Sequence, residues 1–122
     1  MRAMVLSATG SLDHNPAPIK IADTIIPEPG HGEILIEVAV CGVCHTELDE
    51  IEGRTKPPRL PVIPGHEIVG RIAALVAGSK RHDIGDRVGV GWIYSSTGDS
   101  TENLSADFRA TGRDADGGYA EF

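Results

Sequence analysis

Aromatic residues, cysteines and positive charges are all scarce in this chain of 122 residues. Phe, Trp and Tyr make up 4% of the sequence, and 11 Lys and Arg stand against 18 Asp and Glu, which gives a formal net charge of −7. Apart from the adjacent Lys80 and Arg81 the cations are scattered singly, so no basic stripe is available to neutralise phosphates. We therefore expect neither nucleic acid nor an anionic membrane surface as a partner.

Long hydrophobic runs are missing as well. No stretch reaches the roughly 18 apolar residues that a membrane-spanning helix needs, and Ser7, Thr9 and Gly10 interrupt the N-terminal segment early. The sequence therefore predicts no signal peptide and no membrane span, and it favours a cytoplasmic location. The two cysteines are three positions apart, which cannot give a disulfide framework, so a metal ligand or a redox pair is the better interpretation.

Short β-type segments separated by Pro and Gly dominate the pattern, and the length suits one domain over residues 1–122. A short helix is expected after the cysteines, because Cys44, Leu48 and Ile51 share one apolar helical face that ends at Gly53. The pattern predicts a mainly β fold, a barrel with one or two short helices. The expected strands are Met4–Leu6, Ile19–Ile26, Glu33–Val40, Glu67–Ala77, Val88–Tyr94 and Gly117–Phe122.

Cys44 and His66 are the leading candidates for function. Each lies on a glycine-flanked bend between apolar runs, and a thiolate and an imidazole are ligand types that zinc prefers. Glu47 and Glu67 are close enough in sequence to support such ligands. Zinc held by three protein ligands keeps a fourth position open for water or substrate, so the pattern predicts half of a catalytic zinc site. Thr46 could then pass a proton outward through its hydroxyl.

Other interpretations of the same residues stay open. Cys41 and Cys44 match a redox dithiol, although that motif needs a βαβ context and this chain has one expected helix. The segment also matches the Cys-x-x-Cys-His attachment motif of c-type haem, with His45 as axial ligand. Haem attachment usually needs export and a second ligand such as methionine, and Met1 and Met4 are the only methionines. Cysteine and histidine that are simply packed or solvated are the plainest alternative.

Four motifs span nearly the whole chain: Cys41–Glu47, Pro61–Glu67, Gly85–Val90 and Asp116–Phe122. In this order they resemble the zinc-dependent alcohol dehydrogenases of the medium-chain dehydrogenase/reductase superfamily. The resemblance implies a GroES-like, partly open β-barrel, which is the family's N-terminal catalytic domain and precedes a Rossmann domain that binds NAD or NADP. These residues contain no Gly-x-Gly-x-x-Gly unit, so no Rossmann domain is expected and the chain alone should be inactive.

The resemblance implies that three residues bind or approach the metal and that a fourth supports one of them. Cys44 and His66 correspond to catalytic zinc ligands, and Glu67 corresponds to the carboxylate that can approach the metal. Glu47 stands where the family usually has an aspartate that is hydrogen-bonded to the zinc histidine. The family's third ligand should lie beyond the last residue of this chain, so zinc bound here would recruit water, Glu67 or Cys41.

The resemblance also implies catalytic and binding roles toward a small alcohol or aldehyde. Thr46 corresponds to the hydroxyl of the proton relay, and Asp49 stands where many members end that relay in histidine. His45 corresponds to the contact with the cofactor pyrophosphate, and Trp92 to a wall of the substrate pocket.

A second, structural zinc is not expected. Many family members hold it with four cysteines in a polar lobe, and the corresponding places here carry Thr97, Ser100 and Asn103. The fourth place falls in an apparent deletion between Ala106 and Arg109.

Two functional hypotheses follow. In the first, the chain is the catalytic-domain portion of a zinc-dependent alcohol dehydrogenase whose parent interconverts alcohol and aldehyde with NAD(P). In the second, it is a non-enzymatic remnant that binds zinc or a protein partner through exposed barrel edges, which would favour self-association.

Overall fold

The computed structural model describes residues 1–76, 81–101 and 104–122 and confirms a mainly β fold. Within these ranges there is one α-helix, α1 (His45–Glu52). The strands are β1 (Arg2–Leu6), β2 (Ile19–Asp23), β3 (Ile34–Cys41), β4 (Ile68–Leu75), β5 (Arg87–Val90), β6 (Ile93–Ser95) and β7 (Arg109–Ala110). No helix in the described ranges is both long enough and apolar enough to span a membrane.

The strands form three small antiparallel sheets. β1 pairs with β2, β3–β4–β5 form the largest sheet in that order, and β6 pairs with β7. In the described part of the chain these sheets do not close on one another through strand pairing, in agreement with the expected partly open barrel. The pairing of β3 with β4 matters most for the site, because Cys41 is opposite Ile68 in its register.

The apolar core lies between β1, α1 and the segment that leads to His66. Leu6, Ile51 and Val62 form its buried centre, and three partly buried side chains pack against them. Leu6 and Val62 also exchange two backbone hydrogen bonds of 2.9 and 3.0 Å. Because these contacts fix the approach to His66 against the first strand, the core holds one side of the candidate site in place. The three flanking residues are Leu12, Ile19 and Leu60.

Several strand limits differ from the sequence-based expectation. β2 ends at Asp23 rather than Ile26, and the expected end of β4 at Ala77 lies outside the described residues. The segment Val88–Tyr94 is not one strand, since Gly91 and Trp92 separate β5 from β6 and the two strands join different sheets. Gly91 contributes no side chain to a sheet face, and a glycine within a strand pattern often marks a bend. The alternation of apolar residues from Val88 to Tyr94 therefore runs across a bend and does not indicate a single strand.

The C-terminal segment Gly117–Phe122 was expected to be a strand, and this expectation is wrong. Among the described residues its backbone contacts with strands are one isolated bridge, between Ala120 and Ala3, and one hydrogen bond of 2.9 Å from the amide of Val38 to the carbonyl of Glu121. The amide of Gly117 instead donates to the carbonyl of Ile63 at 2.7 Å, and a Cβ at Gly117 would overlap the carbonyl oxygen of Gly65. The segment therefore follows the loop before His66 at a distance that only glycine permits.

Candidate metal centre

Two bends bring Cys44 and His66 together. The first leaves β3 after Cys41 and enters α1, whose N-cap residue is Cys44, while the second carries His66 into β4. Since Cys41 and Ile68 are paired in register, the bends start side by side. The Sγ atom of Cys44 lies 3.3 Å from Nε2 of His66. The two residues predicted to act together from sequence are therefore neighbours in space.

The separation of these two atoms suits one zinc ion. With Zn–S near 2.3 Å and Zn–N near 2.0 Å, tetrahedral geometry puts the two ligand atoms about 3.5 Å apart. The observed 3.3 Å is close to this value without any movement of the chain. Over the described ranges, Cys44, Glu47 and His66 are the one group of at least three potential ligands, with their ligand atoms within 4.8 Å of one another. The donor set therefore fits zinc.

Glu47 contacts both of the other residues in this group. Its Oε2 accepts a hydrogen bond of 2.8 Å from the amide of Cys44, which completes a capping box at the start of α1. Its Oε1 lies 2.9 Å from Nδ1 of His66, and neither of these buried atoms has a hydrogen-bond partner elsewhere in the described structure. A carboxylate at Nδ1 favours the tautomer that leaves the Nε2 lone pair free, directed toward Cys44. Glu47 thus lies where the resemblance places the partner of a zinc histidine.

The helix start also affects the thiol of Cys44. The amide of Thr46 donates to Sγ at 3.3 Å, so the sulfur is the N-cap acceptor of α1. Thr46 is itself partly buried beside the thiol. Its proposed part in a proton relay stays a prediction, because the contacts of the site involve its amide.

Asp49 and His45 form an exposed cluster with Arg54 on the outer side of α1. Asp49 Oδ1 is 2.6 Å from Nε of Arg54 and 3.4 Å from Nδ1 of His45, whose side chain is 76% exposed. The hydrogen bond from Arg54 lowers the pKa of Asp49 below its ordinary value. A lowered pKa makes the carboxylate a weaker base, and the relay role of Asp49 stays a prediction. The exposed imidazole of His45 is accessible to a ligand.

Trp92 and Glu67 are both near His66 but play different geometric parts. The indole of Trp92 packs edge-on against the imidazole, with ring centroids 4.9 Å apart and planes at 78°. Glu67 is exposed and lies against Gly42, where a Cβ would overlap its carboxylate. Its carboxylate is not part of the three-residue group. The substrate-pocket role of Trp92 and the metal-approaching role of Glu67 remain predictions.

Glu50 is a buried acid that the sequence interpretation missed. Leu48 was expected on the inner face of α1, yet it is 38% exposed, while Glu50 is 1% exposed and its Oε1 has no hydrogen-bond partner in the described structure. Burial, and next the negative charge of Glu47, raise the pKa of Glu50 to about 7. Residues three positions apart share a helix face, so Glu50 lies on the same face of α1 as Glu47. The predicted contact of Glu47 with His66 was therefore the sequence signal that could have indicated a buried Glu50.

The polar segment that was compared with a structural-zinc lobe is largely exposed. Thr97 and Ser100 lie in it without regular strand structure, and Asn103 lies outside the described residues. The expectation that no structural zinc binds here stays a prediction.

Comparison with known proteins matches residues 30–122 to the family described as Alcohol dehydrogenase GroES-like domain. The chain is 40% identical to the "Probable alcohol dehydrogenase AdhA" of Mycobacterium tuberculosis, with 100% of this chain and 38% of the relative covered. It is 39% identical to an alcohol dehydrogenase of Moraxella sp., with 100% of this chain and 36% of the relative covered. The chain thus spans little more than a third of the length of these relatives.

Solved structures agree with this assignment. A crystal structure of an NAD-dependent alcohol dehydrogenase superimposes with a TM-score of 0.85 at 27% identity, covering 99% of this chain and 36% of that one. The cobalt- and zinc-bound thermostable alcohol dehydrogenase of Pyrobaculum aerophilum gives a TM-score of 0.83 at 28% identity, covering 99% and 37%. The chain therefore belongs to the zinc-dependent alcohol dehydrogenase family and corresponds to its GroES-like catalytic domain.

Proposed function

We propose that this chain provides the protein side of a catalytic zinc site in a dehydrogenase that interconverts a small alcohol and an aldehyde with NAD or NADP. The observation that carries the proposal is the 3.3 Å approach of Cys44 Sγ to His66 Nε2, with Glu47 at the opposite ring nitrogen. Its relatives are named as alcohol dehydrogenases, and solved relatives are described as bound to cobalt and zinc or to NADP.

Zinc bound at this centre would supply a Lewis acid to the oxygen of the alcohol or aldehyde. Cys44 and His66 would hold the ion, and Glu47 would keep the His66 ring oriented and protonated at Nδ1. The hydroxyl of Thr46, one residue after the thiolate, would accept the proton that the alcohol loses and donate its own outward. Since Asp49 is engaged by Arg54, we propose that solvent water receives the proton beyond Thr46.

Hydride transfer requires a bound nicotinamide in addition to this centre. His45 follows the zinc thiolate at the first turn of α1, and its exposed imidazole can meet a phosphate oxygen of the cofactor. The residues here contain no Gly-x-Gly-x-x-Gly unit, so we expect the chain alone to bind zinc without oxidising alcohol. A cytoplasmic location also remains part of the proposal.

The test measures zinc content and dehydrogenase activity in two forms of the protein. One form is the chain of 122 residues, and the other carries a dinucleotide-binding domain from a relative after Phe122. We expect both to bind zinc, and we expect NAD- or NADP-dependent oxidation of small alcohols in the extended form alone. A His66→Ala variant of the extended form serves as the matched control and should lose both zinc and activity. Absence of zinc from both unmodified forms would refute the proposal.

Exposed apolar side chains support a second candidate, a non-enzymatic domain that binds a partner or a second copy of itself. Ile21, Ile25 and Val40 lie on or beside sheet edges and are 73%, 83% and 58% exposed. Burial of such residues in an interface would be favourable. Sedimentation velocity over a hundredfold range of concentration would show a growing larger species if this holds. A single monomeric species throughout would remove the support for self-association.

A further inference from the structure

We propose that Tyr119 is a positioning residue, whose side chain joins the two ligand-bearing bends and so sets the distance between Cys44 and His66. The inference depends on the proposed zinc-binding function and extends it to a residue that offers no ligand atom to the metal. It follows from two sets of contacts, one on each bend.

The first set lies on the bend that carries Cys44. The hydroxyl of Tyr119 donates a hydrogen bond of 3.3 Å to the carbonyl of Gly42, two residues before the thiolate. The amide of Gly42 donates to the carbonyl of Glu67 at 2.8 Å, so the peptide groups around Gly42 are held from both sides. The orientation of this bend decides where Sγ of Cys44 points.

The second set lies on the bend that carries His66. The amide of Tyr119 donates to the carbonyl of Pro64 at 3.0 Å. Its ring packs against Gly65, where a Cβ would lie 2.6 Å from Cδ1 of the tyrosine. Gly65 has a φ of +98°, a conformation that side chains disfavour. Glycine is therefore required at this position both by the backbone and by the tyrosine ring.

The hydroxyl of Tyr119 is suited to act as a permanent donor. Burial raises the pKa of Tyr119 well above its ordinary value, and the acidic groups nearby act in the same direction. The phenol therefore keeps its proton at neutral pH and can donate to a carbonyl, which only accepts. Without it, the carbonyl of Gly42 would lose this donor, and the first bend would be free to move relative to the second.

Such movement matters because the two ligand atoms are on separate bends. Zinc requires Sγ and Nε2 to be about 3.5 Å apart, and the present distance of 3.3 Å already meets this condition. If the two bends move apart in the absence of metal, zinc must bring Sγ and Nε2 together again when it binds. This rearrangement reduces the net free energy of zinc binding. Residues that orient ligands without touching the metal typically change its affinity by about 10- to 100-fold.

The test compares the 122-residue chain with its Tyr119→Phe variant, which keeps the ring and removes the hydroxyl. We expect the zinc Kd to rise about tenfold, as measured by competition with a chromophoric chelator. We also expect the visible bands of the cobalt-substituted variant to shift, since these report ligand geometry directly. Tyr94→Phe is the matched control, because Tyr94 is exposed and its loss of a hydroxyl should change neither measurement.

Urea unfolding of the metal-free proteins separates positioning from simple stability. The inference is overturned if Tyr119→Phe lowers the stability but leaves the zinc affinity and the cobalt bands unchanged. It is also overturned if the variant matches the unmodified chain in stability, zinc affinity and cobalt bands. If the unmodified chain binds no more zinc than Cys44→Ser, the proposed function and this inference both fail. Tight zinc binding by both the unmodified chain and Tyr119→Phe would refute the inference and leave the proposed function intact.

Discussion

Replacing Cys44 with serine is expected to lower the zinc affinity of the chain by at least about 100-fold. The substitution removes the sulfur that lies 3.3 Å from Nε2 of His66 and leaves a hydroxyl, which is a much weaker zinc ligand at neutral pH. The serine hydroxyl can still accept a hydrogen bond from the amide of Thr46, because serine is a good N-cap residue. The loss should therefore appear in metal binding, with little loss of helix stability.

The second cysteine provides the matched control for this result. Cys41 is half-buried and outside the three-residue group, and burial is the main cause that raises the pKa of its thiol. A thiol that keeps its proton is a poor zinc ligand, so Cys41→Ser should change the zinc Kd by less than about threefold, well below the effect of a ligand. Chelator competition at pH 7 measures both variants. Equal losses in the two variants would contradict this assignment and indicate that the cysteines bind the metal as a pair.

The pairing of Cys44 with His66 could be predicted because it depends on residue types and on local bends. The cysteine and the histidine stand at the ends of apolar runs, and β3 and β4, which carry those runs, are neighbours in the largest sheet. Antiparallel pairing places the end of one such strand beside the start of the next, here Cys41 beside Ile68, although residues 42–67 separate β3 from β4 in sequence. The mainly β fold could be predicted for a similar reason, since alternating apolar residues and turn signals are local features.

The inner face of α1 could be predicted from hydrophobicity only in part, for Ile51. An amphipathic pattern favours Leu48 as the buried residue, whereas the structure buries Glu47 and Glu50. Glu47 can be buried because it contacts the amide of Cys44 and the ring of His66. These partners come from outside the regular part of the helix, so a rule based on helical period alone places Ile51 correctly in the core but does not find the buried acids.

The C-terminal segment could not be predicted from its own residues either. Its apolar and aromatic content suggests a strand, but the amides of Gly117, Gly118 and Tyr119 donate to the loop before His66, and the amide of Glu121 donates to a strand, at Arg2 of β1. The close packing of Gly117 against Gly65 depends on two glycines that are 52 positions apart. Contacts over that separation follow from the assembled fold, and the local pattern does not encode them.

Replacing Glu50 with glutamine is expected to stabilise the metal-free chain at pH 8 much more than at pH 5. In the folded chain the pKa of Glu50 is raised to about 7 from an ordinary value of 4.5, because the carboxyl group is buried next to the charge of Glu47. Between these two values the folded state binds more protons than the unfolded state, so the free energy of unfolding falls as the pH rises. Above about pH 7 this loss is complete.

The size of the effect follows from the two pKa values. A shift from 4.5 to about 7 corresponds to a loss of up to about 2.5 kcal/mol between pH 5 and pH 8. Glutamine cannot ionise and should escape this loss. Asp49 and Asp114 add to the repulsion that Glu50 meets when it ionises, whereas Arg113 opposes it, so Arg113 limits the gain from the substitution.

Urea unfolding of the metal-free chain at pH 5 and pH 8 measures this difference directly. Glu28→Gln is the matched control, because it removes the same charge from an exposed side chain and should shift stability by less than about 0.5 kcal/mol at either pH. A stabilisation by Glu50→Gln that is equal at both pH values would mean that packing, not ionisation, limits this position. The amide would then fill the site better than a neutral carboxyl group does. If Glu50→Gln does not stabilise the chain at either pH, Glu50 is already ionised at pH 5 in the folded state, which requires Arg113 to outweigh both burial and the charge of Glu47.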